Sequence, residues 1–117
     1  MRSITVAVYG TLKKGHGNHR LLTEAEFIGE DRITGWTMKH LGGFPGIIPG
    51  EGNISIEVYK VNEIELARLD RLEGYPRFYD RQQVNTMHGE AWIYHLANPD
   101  RYETNEIIRD GVWRRCG

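Results

Sequence analysis

Two short segments carry side chains whose types and spacing suit catalysis. The first is Tyr9, Gly10, Thr11 and Leu12, a glycine placed where an apolar run ends. A glycine there lets the backbone turn sharply and present successive N–H groups toward one point, a nest that binds an anion or polarises a carbonyl. Taken alone, the four residues fit an ordinary strand-ending turn better. The second runs Leu69, Asp70, Arg71, Leu72, Glu73, Gly74, Tyr75, Pro76, followed by Phe78, Tyr79, Asp80 and Arg81. It places Glu73 where a helix gives way to a glycine–proline turn. A carboxylate at that end meets the negative pole of the helix, which raises its pKa. An apolar surround from Tyr75, Pro76, Phe78 and Tyr79 raises it further, toward the range of a general acid/base. The same residues, taken alone, fit an exposed Glu73, or one paired with Arg77 or Arg81, at least as well. Asp70 and Arg71 read as a solvated helix face.

Other patterns fall away. Gly10 and Gly15 have the spacing of a phosphate loop, but His16 and Gly17 stand where lysine and a hydroxyl residue are required. His16 and His19 are three apart, yet His40, His88 and His95 share no spacing with them and no cysteine is near in sequence. Structural or surface roles are expected for all five, with no metal site.

These segments need elements to position them. Residues 3–9 read as a first strand, with Ile4, Val6 and Val8 on one face. Residues 10–18 read as a loop, and 19–22 as a short helical turn. Residues 26–32 and 33–41 are expected as two strands, whereas 42–52, with Pro45, Pro49 and five glycines, is expected to be irregular. Residues 54–61 alternate as a strand, with Ile54, Ile56 and Val58 on one face. Asn62 then caps a helix over 62–72, with Glu63 and Glu65 in its first turn and Ile64, Leu66, Leu69 and Leu72 at helical spacing. Residues 79–86 and 90–96 follow as strands joined through 87–89, and 107–113 as a last strand or turn. Strands, one principal helix, then strands point to an α+β fold with a curved, mainly antiparallel sheet or small barrel.

Composition narrows the function classes. A chain of 117 residues suits one domain, 1–117, around one core. A net charge of −1 gives no global field for nucleic acid or an anionic membrane, and the Arg114–Arg115 pair reads as a solvated end. The lone cysteine, Cys116, permits no internal disulfide and makes a poor nucleophile near a chain end. With neither a signal-length nor a membrane-length apolar segment, a cytoplasmic location is expected.

Together, the two segments resemble the gamma-glutamylcyclotransferase-like superfamily, whose members carry an early strand running into Y-G-[TS]-L and a mid-chain L-D-x-[LF]-E-G-x-P followed by Y-x-R. Val8 to Lys13, Leu69 to Pro76 and Tyr79 to Arg81 match in order and separation. The glycine-rich middle at residues 43–46 is similar, as is the closing run Ile108, Arg109, Asp110, Gly111, Val112, Trp113. The resemblance implies a small mixed barrel with flanking helices. It further implies that Tyr9, Gly10, Thr11 and Leu12 bind a gamma-glutamyl moiety and that Glu73 is catalytic, in a cleft facing the 9–12 turn.

The implied reaction is attack of the substrate's alpha-amine on its own gamma-carbonyl, closing 5-oxoproline and expelling an amine. Main-chain N–H groups at 10–12 would hold the oxyanion while Glu73 moves the protons, with no metal or organic cofactor. Tyr79 is expected to bond Glu73 or the substrate. Arg81 is expected either in a structural ion pair or on the substrate carboxylate. Residues 42–52 and the C-terminal segment are expected to face the leaving amine. A non-catalytic module binding a gamma-glutamyl compound, or a scaffold with a vestigial pocket, stands as the alternative; oligomeric state is not encoded legibly.

Overall fold

The computed structural model describes residues 3–114; Arg115 and Cys116 lie outside the described residues. Five strands, β1 (Ile4–Val8), β2 (Glu26–His40), β3 (Pro45–Val61), β4 (Tyr79–Thr86) and β5 (Gly89–Leu96), form one sheet in the order β2-β3-β1-β5-β4. The β1–β5 pair at its centre is parallel and the other pairs are antiparallel. The fold is a small α+β arrangement around this mixed, mostly antiparallel sheet. No ladder joins β2 to β4, so hydrogen bonding does not close the sheet into a barrel. The β4–β5 turn does reach β2: the Met87 amide donates to Asp31 Oδ2 at 2.9 Å, and the His88 ring lies 3.0 Å from the Glu30 carbonyl.

Strand alternation deals the apolar residues to two faces. Ala7, Ile54, Ile56, Val58 and Ile93 pack on one side with Trp36, Met38 and Trp113. Val6, Val8, Tyr59, Val61, Tyr94 and Leu96 pack on the other, with Leu69 of the α-helix α1 (Glu63–Glu73). Central β1 is buried on both sides, which explains its unbroken run Val6, Ala7, Val8.

α1 begins where local chemistry dictates. Asn62 Oδ1 accepts from the Glu65 amide and Glu65 Oε1 accepts from the Asn62 amide, both at 2.8 Å, a reciprocal capping box. Gly74, at φ 66°, ends it in the left-handed conformation that favours glycine. Glu73 is therefore the last helical residue, one beyond the expected boundary. The apolar stripe is narrower than its spacing implies: Leu69 is fully buried, while Ile64 and Leu72 are exposed. Leu69→Ala would cost about 2–5 kcal/mol.

Two expectations change. Residues 26–40 form one strand, interrupted by irregularities between Phe27 and Gly29 and between Thr34 and Trp36, rather than two strands. Residues 45–53 are strand rather than loop, with residues 50–52 bulged opposite Gly35 and lacking register partners in β2. β1 pairs with β3 only along residues 57–61, so the earlier half of β3 pairs with β2 alone and its prolines and glycines lie along an edge free of ladder partners. Residues 107–113, expected as a last strand or turn, take the turn form at 109–110. One bridge joins Ile107 to Lys39. The Ser55 amide donates to the Gly111 carbonyl (2.9 Å) and Lys13 Nζ to the Trp113 carbonyl (2.9 Å), while Lys39 Nζ holds the preceding residues through the Glu103 and Asn105 carbonyls (3.0 and 3.1 Å).

Candidate active site

The loop leaving β1 is pinned by its carbonyls. Gly10 O accepts from the Lys13 amide (3.1 Å), Thr11 O from the Asn18 amide (3.0 Å), and Leu12 O from the His19 ring as its Nδ1–H tautomer (2.9 Å). The amide N–H groups of Gly10, Thr11 and Leu12 find no acceptor among the described residues. Main-chain donors left this way need water or a ligand. Asn18 Nδ2 donates to Thr11 Oγ1 at 2.8 Å, which leaves the hydroxyl proton available as well. Gly10 is needed for space, since its φ is not positive: a Cβ there would lie 2.9 Å from Pro45 Cγ and 3.0 Å from Cδ.

Residues 9–12 and Glu73 line the same cavity, of about 500 Å³, a size usual for small-molecule sites. The end of α1 supplies Leu72, Glu73 and Gly74; the β2–β3 turn, closed by the Leu41 amide on the Phe44 carbonyl, supplies Gly43, Phe44 and Pro45. Glu73 makes no ion pair or hydrogen bond among the described residues. Every fully buried side-chain polar atom there has a partner, so the unpaired Glu73 oxygens keep some access to solvent, and the residue lines the cavity. Burial pushes its carboxyl up to about 7. Of the apolar surround expected from sequence, Phe78 and Tyr79 line the cavity, whereas Tyr75 and Pro76 do not.

Three tyrosines complete the walls, each with its hydroxyl engaged. Tyr9 donates to the Tyr94 carbonyl (2.9 Å), Tyr79 to the Pro45 carbonyl (2.5 Å) and Tyr94 to Asp70 Oδ1 (2.6 Å). Tyr79 thus bonds the β2–β3 turn and not Glu73. Burial raises the pKa of all three phenols, with the Glu73 charge adding to each. They stay protonated at neutral pH and line the cavity.

Arg81 lies off the cavity. Its Nε and a terminal guanidinium nitrogen donate to Asp70 at 2.9 and 3.2 Å, and its guanidinium lies over the rings of Tyr75 and Trp92, 4.4 and 4.5 Å from their centroids. Asp70 is therefore part of a half-buried cluster and not a solvated face. Glu73 is the only carboxylate on the cavity wall, and no group of three or more His, Cys, Asp or Glu side chains suited to a metal ion occurs among the described residues. Asn18 and Tyr94 have no signal in the sequence that assigns them here. Residues 43–45 of the glycine-rich segment reach the cavity, and none of 103–114 does.

Comparison with known proteins agrees with this architecture. Residues 6–115 match the family model described as "Gamma-glutamyl cyclotransferase, AIG2-like". The gamma-glutamylcyclotransferase family protein YtfP of Escherichia coli K12 is 34% identical over 108 residues, covering 92% of this chain and 94% of that protein. Its solution structure superposes with a TM-score of 0.76, over 94% of this chain and 96% of that one. A crystal structure of an uncharacterized protein from Pyrococcus horikoshii, 30% identical, superposes at 0.80, over 93% and 88%. No helix among the described residues is long and apolar enough to cross a membrane.

Proposed function

The chain belongs to the AIG2-like gamma-glutamyl cyclotransferase family, and from that premise we propose that it releases 5-oxoproline from a small gamma-glutamyl compound, with Glu73 as general acid/base. The observation carrying this reading is the conjunction on one cavity wall of a partnerless, desolvated carboxyl and a run of main-chain donors without acceptors. Each feature is costly for folding alone, and each has a use in ring closure.

In the proposed reaction the cavity holds the gamma-glutamyl group bent, so that its alpha-amine faces its gamma-carbonyl carbon. Fixing that geometry supplies on the order of 7–11 kcal/mol of the barrier. Glu73, ionised, takes a proton from the alpha-ammonium. The nitrogen then attacks, a C–N bond forms, and the N–H groups of residues 10–12 stabilise the oxyanion. As the intermediate collapses, the carbonyl re-forms, the bond to the departing nitrogen breaks and Glu73 returns the proton to it, while the surplus proton on the ring nitrogen passes to water, leaving a neutral lactam and a free amine. An alpha-ammonium titrates near ~8 and a free glutamate near ~4.3. With Glu73 at about 7, a mismatch of roughly 3.5 units narrows to roughly one.

The test is 5-oxoproline release from a panel of gamma-glutamyl amines and dipeptides by the native protein and Glu73→Gln. Native turnover that the variant loses while still binding the compounds supports the reading. Saturable binding without turnover by the native protein would instead make this a binding module on the same fold.

A further inference from the structure

We propose that Arg81, although it lies off the cavity, is a positioning residue for Glu73: it grips the chain on both sides of that carboxyl and keeps it on the wall, away from water. The use made of the carboxyl rests on the ring-closure reading above. Glu73 makes no hydrogen bond or ion pair among the described residues, so the backbone that carries it decides where its side chain lies. That backbone forms a closed stretch from Asp70 to Tyr75, whose amide donates to the Asp70 carbonyl at 3.0 Å. Arg81 holds both ends of the stretch. Two guanidinium nitrogens donate to the Asp70 carboxylate oxygens at 2.9 and 3.2 Å, and the guanidinium carbon lies 4.4 Å from the centroid of the Tyr75 ring. The same group lies over Trp92 of β5 at 4.5 Å, so the grip is anchored in the sheet. Apolar packing does little for this end of the helix: Leu69 is the buried residue of α1, and Leu72 beyond it is 40% exposed. Arginine suits the task, because its planar fork matches a carboxylate while its faces stack on rings.

Charge and position can be told apart. The titratable groups lining the cavity with Glu73 are the phenols of Tyr9, Tyr79 and Tyr94, and among the described residues no arginine, lysine or histidine lines it. On the surrounding elements, Lys13 donates to the Trp113 carbonyl, the His19 ring bonds the Leu12 carbonyl, and Arg71 and Arg77 are exposed. Burial is what raises the Glu73 carboxyl to about 7. Taking away the Arg81 cation would by charge alone make Glu73 harder to ionise and raise that value. A loosened helix end admits water and lowers it toward the ordinary 4.5. The two effects have opposite signs.

An NMR titration of the Glu73 carboxyl, assigned by its loss in Glu73→Gln, reads the position with no substrate present; the pH profile of 5-oxoproline release reads its use. In Arg81→Met the titration midpoint should fall from about 7 to about 6 or below, and the acid limb of kcat/KM should follow it. There kcat should drop about tenfold to 10²-fold while KM changes less than about threefold. Tyr75→Ala, at an exposed position, should move the midpoint the same way by less, and should add little on top of Arg81→Met. Asp70→Asn keeps an acceptor for the guanidinium and both rings beside it, so it loses stability yet holds the midpoint. A native midpoint near 4.5 overturns the inference. So does a midpoint that stays or rises in Arg81→Met, or in Tyr75→Ala should Arg81→Met fail to fold. Midpoints that fall as expected in a protein with neither turnover nor saturable binding of gamma-glutamyl compounds leave the positioning role standing and overturn ring closure instead.

Discussion

Asp70 and Glu73 sit three residues apart on the last turn of α1, and their surroundings could hardly differ more. Asp70 accepts from Arg81 and from the Tyr94 hydroxyl. Glu73 accepts from nothing in the described chain and faces a cavity. A saturated carboxylate has no vacancy for a substrate proton, whereas a desolvated one without partners is held near neutrality, ready to exchange one. The proposed division of labour rests on this difference in partners, and the two residues can be separated experimentally.

The largest separation is in rate. Glu73→Gln should lower 5-oxoproline release by about 10²–10⁴-fold, with gamma-glutamyl compounds still protecting the protein in a thermal-shift assay. Asp70→Asn should leave the acid limb of the rate profile in place. That limb reports Glu73: kcat/KM should rise with pH through about 7, as the carboxyl ionises. An identical limb in Glu73→Gln would remove this residue from the proton transfer.

Stability should move in opposite directions. Asp70→Asn leaves Arg81, half-buried between two rings, without its carboxylate, at a cost of about 3 kcal/mol in urea unfolding. Glu73→Gln should stabilise at high pH. The folded-state pKa is raised from an ordinary 4.5 to about 7, so the native carboxyl favours folding fully below pH 4.5 and loses that contribution as pH rises through 7. Removing the charge should therefore change little at pH 4 and add about 3 kcal/mol above pH 8, at 1.36 kcal/mol per unit. A variant no more stable than the native protein at pH 8 would mean that Glu73 is well hydrated.

Smaller effects probe the walls. Gly10→Ala forces a methyl against the Pro45 ring and should cost about 1–3 kcal/mol, with KM for a gamma-glutamyl compound rising more than kcat falls. Tyr79→Phe removes one buried hydrogen bond to the Pro45 carbonyl, worth about 1 kcal/mol. It should leave the pH limb unmoved, because that hydroxyl does not touch Glu73.

The contrast between the two carboxylates also marks what could be read from sequence. α1 was legible because its determinants are local: Asn62 and Glu65 cap each other, and Gly74 ends the helix. The alternation in residues 54–58 marks one core face for the same reason. The first half of β3 was not legible, because a proline or glycine on an edge looks like a loop residue until its neighbours are known. Residues 9–12 and Glu73 were singled out by type and by the order of two motifs, yet the cavity that joins them depends on Phe44, Pro45 and Tyr94, all distant in sequence. The difference between Asp70 and Glu73 was hidden entirely. It is made by β4 and β5, which supply Arg81 and Tyr94 to one carboxylate and nothing to the other.

The Lys13–Trp113 bond has a consequence in time. Its partners are 100 positions apart, so on a ribosome adding roughly 5–20 residues per second the lysine beside the Tyr9–Leu12 turn waits about 5–20 s for its acceptor to be made. Until then, that ammonium has nowhere dry to go and the turn lacks its rear anchor. A nascent chain thus cannot anchor this turn until Trp113 has been added, about 100 positions after the lysine that needs it.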